Sequence, residues 1–495
     1  MADLDAKAGT GKAAGLGVLI AACVSTLVVN ANTSAVTILL PAISDDTGTP
    51  VSTLQWAVTG YMLVGAAVIV TSGALGDVFG RRKIFLGGLL LFVASCVLIA
   101  FSTTGAGVIA GRMIQGAAGS TILACGMSLL SVDSSGAAQM KAITLWGAAS
   151  AAGGAAGPLV GGVLAETTGW QGLFWIDAAI AAACIPVTLS TVKESSDPNR
   201  SRSIDWAGTV LIAVILVPLV LALSEGGDWG WASAATLGCF VLAALGLAGF
   251  VLAERRVAAP LVDLALFRNR VLVGSTIAIL VVAGTINGLM YVLSLYFQDP
   301  AGFAMSALRA GLATLPAVAV MIAITPLITP VAVRIGSRQA VVLGFLLSGL
   351  AFGALGFAKS DWGYGYFVIP LVVMAVGLGL ANGPASAAST SVVEPSQVGQ
   401  ASGISNMARY VGGSIATAAT ATVYATAIAN HKAAGATDAD ALAAGLSRAS
   451  ILLALTALGT VLVAVLFGRH RPARTEAGIS AAAHSHTIAI TAASD

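Results

Sequence analysis

Stretches of about twenty apolar residues follow one another almost without pause from residue 15 to residue 467, and as helix each matches the hydrocarbon thickness of a bilayer. They cover residues 15–40, 53–73, 84–102, 107–130, 142–165, 172–190, 206–224, 231–253, 271–298, 307–333, 339–357, 364–392, 403–429 and 446–467. The pattern predicts an all-α polytopic membrane protein with fourteen spans. Composition agrees: 57% of the 495 residues are hydrophobic and 9% are charged, whereas soluble domains carry roughly 25% charged residues. The polar stretch Met1–Lys12 is short, and the apolar run after it is too long for a signal-peptide core, so that run is expected to stay as the first span. Cys23, Cys96, Cys125, Cys184 and Cys239 all lie inside apolar runs, which predicts packing residues with no disulfide and no metal site.

The few charges set the orientation. With the N-terminus inside, only Arg309, Lys359, Lys432 and Arg448 lie outside and only Arg112 and Arg409 lie within the membrane; every other Lys and Arg of the 24 falls in a cytoplasmic segment. By the positive-inside rule both termini are then cytoplasmic. The expected setting is the cell membrane, a bacterial inner membrane, with the lipid bilayer as partner. A net charge of +2 carries no argument for nucleic acid, and none is expected. No convergent nucleophile, base or metal set and no soluble domain is visible, so the chain reads as neither an enzyme nor the holder of a cofactor. It reads as a monomer acting on a small-molecule substrate.

Between the second and third runs sits Gly73-Ala74-Leu75-Gly76-Asp77-Val78-Phe79-Gly80-Arg81-Arg82-Lys83, a tight turn with more charge than almost any other short segment. Its glycines permit a sharp reversal, its cations hold the loop inside, and Asp77 can pair with an arginine such as Arg81 or with a helix N-terminus. This segment resembles the loop between helices two and three of the major facilitator superfamily. A faint echo, Arg334-Ile335-Gly336-Ser337-Arg338, aligns with Val78-Phe79-Gly80-Arg81-Arg82 without the aspartate, as parallel repeats do. The resemblance therefore implies two six-helix bundles, residues 1–192 and 271–468. Residues 193–270 would be a linker with two extra membrane helices, and 469–495, with His484 and His486, a disordered cytoplasmic tail. Six plus two plus six resembles the fourteen-span drug:proton antiporters of that superfamily, exporters of drugs or secondary metabolites.

Three further stretches bear on this likeness. Arg112-Met113-Ile114-Gln115-Gly116 resembles the family's Arg-x-x-Gln-Gly element, in which a buried guanidinium is linked to proton movement. Gly153-Gly154-Ala155-Ala156-Gly157-Pro158-Leu159-Val160-Gly161-Gly162 resembles its exporter signature. Physically, Gly157, Gly161 and Gly162 supply a smooth stripe for helix contact, and Pro158 removes a backbone bond and kinks the rod. In the first run, Asn32 of Asn32-Thr33-Ser34-Ala35-Val36-Thr37 stands where these antiporters usually carry an acid, and an amide cannot exchange a proton. A carboxylate stands instead in the sixth run, where Trp170-Gln171-Gly172-Leu173-Phe174-Trp175-Ile176-Asp177 resembles a family segment ending in Asn. Asp177 is read either as a proton-coupling group or as a helix-start aspartate hydrated from outside or hydrogen-bonded to the backbone of the fifth helix.

Asn30, Thr33, Ser34 and Thr37 form one polar stripe directed at a central cavity or a neighbouring helix. Gln55, Trp56, Thr59, Tyr61, Gln115 and Trp146 from the first half, and Asn287, Tyr291, Asn382, Asn406, Arg409 and Tyr410 from the second, are candidates to line that cavity. Pro316, Pro326 and Pro330 predict a broken or bending tenth helix. The expected function is secondary export of hydrophobic or amphipathic organic compounds by alternating access, driven by a proton gradient. The second reading is a facilitator or dedicated exporter of one metabolite or lipid, uncoupled from protons at helix one. The topology is checked by single-cysteine labelling in a background lacking the native cysteines: position 200 should react only from the cytoplasm and position 228 only from outside. The opposite result at either position rejects the arrangement.

Overall fold

The computed structural model describes residues 15–133, 136–196, 205–257, 260–393 and 398–467; labelling position 200 and the tail after residue 467 lie outside them. Among the described residues there is no strand. The first bundle contains α1 (Leu16–Thr47), α2 (Trp56–Phe79, entered through a turn at Val51–Leu54), α3 (Arg81–Ala100), α4 (Gly105–Asp133), α5 (Gly136–Thr167) and α6 (Gln171–Thr191). Then come α7 (Trp206–Trp229) and α8 (Ala234–Glu254). The second bundle contains α9 (Arg270–Gln298), α10 (Ala307–Ile335), α11 (Ser337–Leu355), α12 (Gly365–Ser391), α13 (Val398–Ala433) and α14 (Asp438–Phe467). Twelve of these helices are long and apolar enough to cross a membrane outright, and α5 qualifies as a thirteenth when its two segments, bent by 43°, are taken as one span.

The two bundles repeat one packing scheme. In the first, α1 packs on α4, α5 and α6, α2 packs on α4, and α3 packs on α4 and α6; the same contacts recur eight helices later in the second. The bundles meet along two equivalent seams, α2 against α13 and α5 against α10. The α7 helix covers the α2/α13 seam, and α8 packs on α7 with Leu237, Val241, Leu245 and Leu252 exposed, as suits a lipid-facing helix.

The loop echo is structural as well. Gly80 (φ 111°) and Gly336 (φ 87°) both adopt the positive φ that favours glycine, each between the second and third helices of its bundle. Arg82 Nη2 donates to Leu189 O (2.7 Å) at the end of α6, and Arg338 Nη2 donates to Val465 O (2.8 Å) at the end of α14. Carbonyls at a helix C-terminus lack intrahelical partners and favour a cation, so each arginine satisfies backbone that hydrocarbon would leave bare.

Glycines divide α5 into two faces. A Cβ on Gly153 would lie 2.1 Å from Leu27 O, one on Gly157 would lie 2.4 Å from Ala31 O, and one on Gly161 would lie 3.0 Å from the Ala35 side chain. This stripe therefore lets the backbones of α1 and α5 touch. The second face turns toward α10: Gly162 abuts the backbone of Ala307 and Leu308, and Gly311 abuts the carbonyl of Pro158. The α9/α13 pair repeats the device with Gly284 against the Gly412 carbonyl and Gly412 against the Leu280 carbonyl.

Two expectations change. The first apolar run ends before Pro41, yet α1 continues through it to Thr47 and stops at Gly48 (φ 64°). Proline removes the bond to the carbonyl four residues back, and Thr37 O accepts instead from Ser294 Oγ of α9 (2.8 Å), with Ile38 O accepting from Gln298 Nε2 (3.1 Å). Of the two alternatives for the tenth helix, the break is set aside: its backbone is continuous helix from Ala307 to Ile335. A bend of 43° lies in α5. The glycine faces are checked by a neighbouring pair. Gly153→Ala should lower the melting temperature of the purified protein by several degrees, matching an overpacking cost of roughly 1–3 kcal/mol, whereas Gly154→Ala, with nothing within 4 Å, should leave it nearly unchanged.

Candidate functional site

A cavity of about 260 Å³ lies between the bundles. The first bundle contributes Asn30, Thr33, Ser34 and Thr37 from α1, with Gly154 and Pro158 from the second face of α5. The second contributes Asn287 and Met290 from α9, Thr314 and Met321 from α10, and Met374 and Leu378 from α12. The polar stripe of α1 thus faces this space, and no charged residue is among the described lining. Asn30 donates to Thr26 O and Asn287 to Ala283 O, both at 2.8 Å, which ties one N–H of each amide to its own helix and leaves the rest of the group to a ligand. Hydroxyls, amides and flexible thioethers make an adaptable amphipathic wall.

Beside the cavity, inside the first bundle, five helices bring together a sealed polar cluster. Arg112 on α4 and Asn32 on α1 are fully buried, and Asp177 on α6 is 4% exposed. Arg112 Nη1 donates to Asn32 Oδ1 and Gln115 Oε1, its Nε donates to Ala57 O (3.0 Å), and its guanidinium carbon lies 4.2 Å from the centroid of the Tyr61 ring. Gln115 Nε2 donates in turn to Cys96 Sγ (2.9 Å). Since arginine can only donate, it fixes the Asn32 amide with its oxygen toward Arg112 and its nitrogen toward Asp177, and Asn32 Nδ2 donates to Asp177 Oδ2 (2.7 Å). Asp177 is therefore not at a hydrated helix start: it is the acid of a cation–amide–carboxyl chain. Tyr61 also lies 6.4 Å, centroid to centroid, from Tyr410 on α13, across the seam between the bundles.

Other candidates lie elsewhere. Gln55 Nε2 donates to Ser224 Oγ (3.1 Å) and Trp56 Nε1 to Glu225 Oε1 (3.4 Å), so both face α7 and not the cavity; α7 packs against this end of α2 and brings the matching acceptors. Thr59 is buried at the seam, its carbonyl accepting from Ser414 Oγ (3.2 Å). Trp146 packs within the first bundle near Gly126, and Tyr291 is buried in the core. Asn382, Asn406 and Arg409 gather below the cavity: Arg409 Nη1 donates to Asn382 Oδ1 (2.8 Å), and Asn406 is one turn of α13 away. Sequence reasoning missed Met290, Met321, Met374 and Thr314, since a methionine in an apolar helix carries no mark that separates wall from core.

In the basic loop, Asp77 Oδ1 accepts from Arg81 Nη2 (2.8 Å) and Nε (3.0 Å). Arg81 N donates to Ser195 O (2.8 Å) and Arg82 N to Glu194 Oε1 (3.1 Å), so the loop is fastened to the segment leaving α6. Among the described residues, the hydrogen bonds joining the two bundles directly, from Ser294, Gln298 and Ser414, all lie toward the end opposite this loop.

Two repeated helical bundles around a shared cavity define a multi-pass solute transporter. The family model of the Major Facilitator Superfamily matches residues 22–417, and the chain belongs to that family. It is similar to the tetracenomycin C resistance and export protein of Streptomyces glaucescens, with 32% identity over 404 residues covering 81% of this chain and 74% of that protein. It is also similar to the cephamycin export protein CmcT of Amycolatopsis lactamdurans, with 32% identity over 417 residues covering 82% and 84%. The structure of an auto-inhibited POT family peptide transporter superposes with a TM-score of 0.67 over 93% of this chain and 98% of that one, at 15% identity, which is a likeness of fold. The protein is accordingly a multi-pass transporter of the plasma membrane, not an enzyme.

The Arg81 and Asp77 side chains are only 15% and 19% exposed, so the attraction within the pair is largely offset by the cost of taking both charges partly out of water, and its net contribution to folding is small. Asp77→Asn should leave the melting temperature within a few degrees while depressing transport in proteoliposomes; equal loss of folded yield and activity would assign Asp77 to folding alone.

Proposed function

We propose that the protein exports amphipathic organic compounds of the drug or secondary-metabolite type, by alternating access of the cavity between the bundles, in exchange for protons. The observation that carries this reading is the cavity itself: both bundles build it, its wall mixes methionine with hydroxyl and amide groups, and none of its described lining is charged. Such a wall suits apolar bodies with a few polar groups and disfavours multivalent cations, which require desolvated counter-charges. The resistance and export roles in the names of the relatives from Streptomyces glaucescens and Amycolatopsis lactamdurans support the same reading.

Proton exchange is assigned to Asp177. It is the carboxyl group of the Arg112 cluster, and Asn32 holds it without being able to ionise. Protonation changes the net charge of a sealed cluster by one, which matters far more there than in water. The Tyr61 ring under Arg112 touches the seam at Tyr410, so the cluster has a contact with the second bundle through which its charge state can favour one arrangement. Asp177→Asn keeps an acceptor for Asn32 Nδ2 and removes the exchangeable proton. In proteoliposomes this variant should lose roughly tenfold or more of pH-gradient-driven export while downhill substrate exchange continues. Adding Asn32→Asp should restore part of the coupling, because an acid then sits directly against Arg112. Unchanged gradient-driven export in Asp177→Asn would leave the carboxyl group structural and favour an uncoupled facilitator.

A further inference from the structure

Each bundle carries one arginine within its spans, and the two are held differently. Arg112 is sealed, takes a backbone carbonyl, and reaches a carboxyl group through Asn32. Arg409 on α13 is only half-buried; Nη1 donates to Asn382 Oδ1 (2.8 Å) and Nη2 to Ser386 Oγ (2.7 Å), both neutral side-chain groups. Among the described residues it has no carboxylate partner and caps no helix end. A guanidinium has five N–H donors, so several remain for another ligand, and none of its nitrogens is a buried atom lacking a partner.

Its position is fixed on two helices. On α12, Asn382 lies one turn beyond Leu378, which lines the cavity. On α13, Gly413 lies one turn from Arg409 on the same face, and a Cβ there would meet Met62 of α2 at 2.5 Å and Nδ2 of Asn287, another lining residue, at 3.4 Å. Arg409 therefore sits one helical turn below the cavity, toward the end of the basic loop. A cation placed inside the membrane is retained when it pairs or functions, and the neutral partners of Arg409 orient it without neutralising it.

We infer that Arg409, oriented by Asn382 and Ser386, is an organic-anion subsite at the mouth of the cavity. The compounds it selects are amphipathic acids, with the apolar body among the methionines and one carboxylate, sulfonate or phosphate on the guanidinium fork. This rests on the exporter reading for its biological meaning but not for its chemistry, and the test separates the two. The full-length protein in nanodiscs is titrated with dansylglycine, dansylglycine methyl ester and dansylcholine, which share a fluorophore and differ in charge. Dansylglycine should bind about tenfold more tightly than its ester, which is about 1.4 kcal/mol. Arg409→Gln should bring acid and ester within about twofold while leaving the ester's Kd unchanged, and Arg409→Lys should keep part of the preference. Equal binding of acid and ester by the unaltered protein, no binding of dansylglycine, or equal weakening of both probes in Arg409→Gln overturns the subsite. Acid-selective binding without export of any probe from liposomes supports the subsite and counts against the exporter reading. Export of dansylcholine with no preference for the acid supports the exporter reading and overturns the subsite.

Discussion

A polar group inside hydrocarbon has no water to fall back on, and much of this architecture follows from how freed backbone carbonyls find partners in protein. Pro41 is the clearest case. It removes the helical bond to Thr37 O, and the vacant acceptor is taken by a hydroxyl of the opposite bundle, Ser294. A local defect in α1 thereby becomes an inter-bundle contact. At the loop end, Arg82 and Arg338 apply the same logic to the open carbonyls of α6 and α14. The repeat survives there in hydrogen bonding even where little sequence likeness remains.

The Arg112 cluster shows a second consequence. Asn32 and Asp177 lie across one hydrogen bond on two helices in contact, so an acid at either position gives the cluster one carboxyl group near one guanidinium. Moving the acid from α1 to α6 keeps that composition but interposes an amide between acid and arginine. The contact here is a relay whose direction is set by arginine, which only donates.

Length and hydropathy made most of the helices legible, because helix in a membrane is the answer to a local requirement. The glycine pattern in α5 was legible as a contact stripe, but its division into two faces was not, since α1 and α10 approach from directions no spacing records. Asn32 and Asp177 each stood out in the sequence as departures from a pattern; their pairing across 145 residues did not. Gln55 and Trp56 were misplaced for the opposite reason. They read as cavity groups until α7, whose position depends on tertiary packing, supplied Ser224 and Glu225. The run boundary at Pro41 failed because proline ends helices mainly where no neighbour can satisfy the freed carbonyl.

The two seams between the bundles are equivalent in the repeat but not in their surroundings. At α2/α13, α7 is tied to both sides: Thr71 and Thr209 hydroxyls share a hydrogen bond (2.5 Å), Gln55 and Trp56 reach Ser224 and Glu225, and Thr422 Oγ1 donates to Leu223 O (2.8 Å). At α5/α10, Gly162 lies on the backbone of Leu308 and Gly311 on the carbonyl of Pro158, and among the described residues no side-chain hydrogen bond crosses this seam. Backbone contact of this kind is close but breaks no side-chain hydrogen bond when it separates. The extra helices therefore strengthen one seam selectively, and the bent, glycine-faced α5 lies at the other, beside the cavity it helps to line.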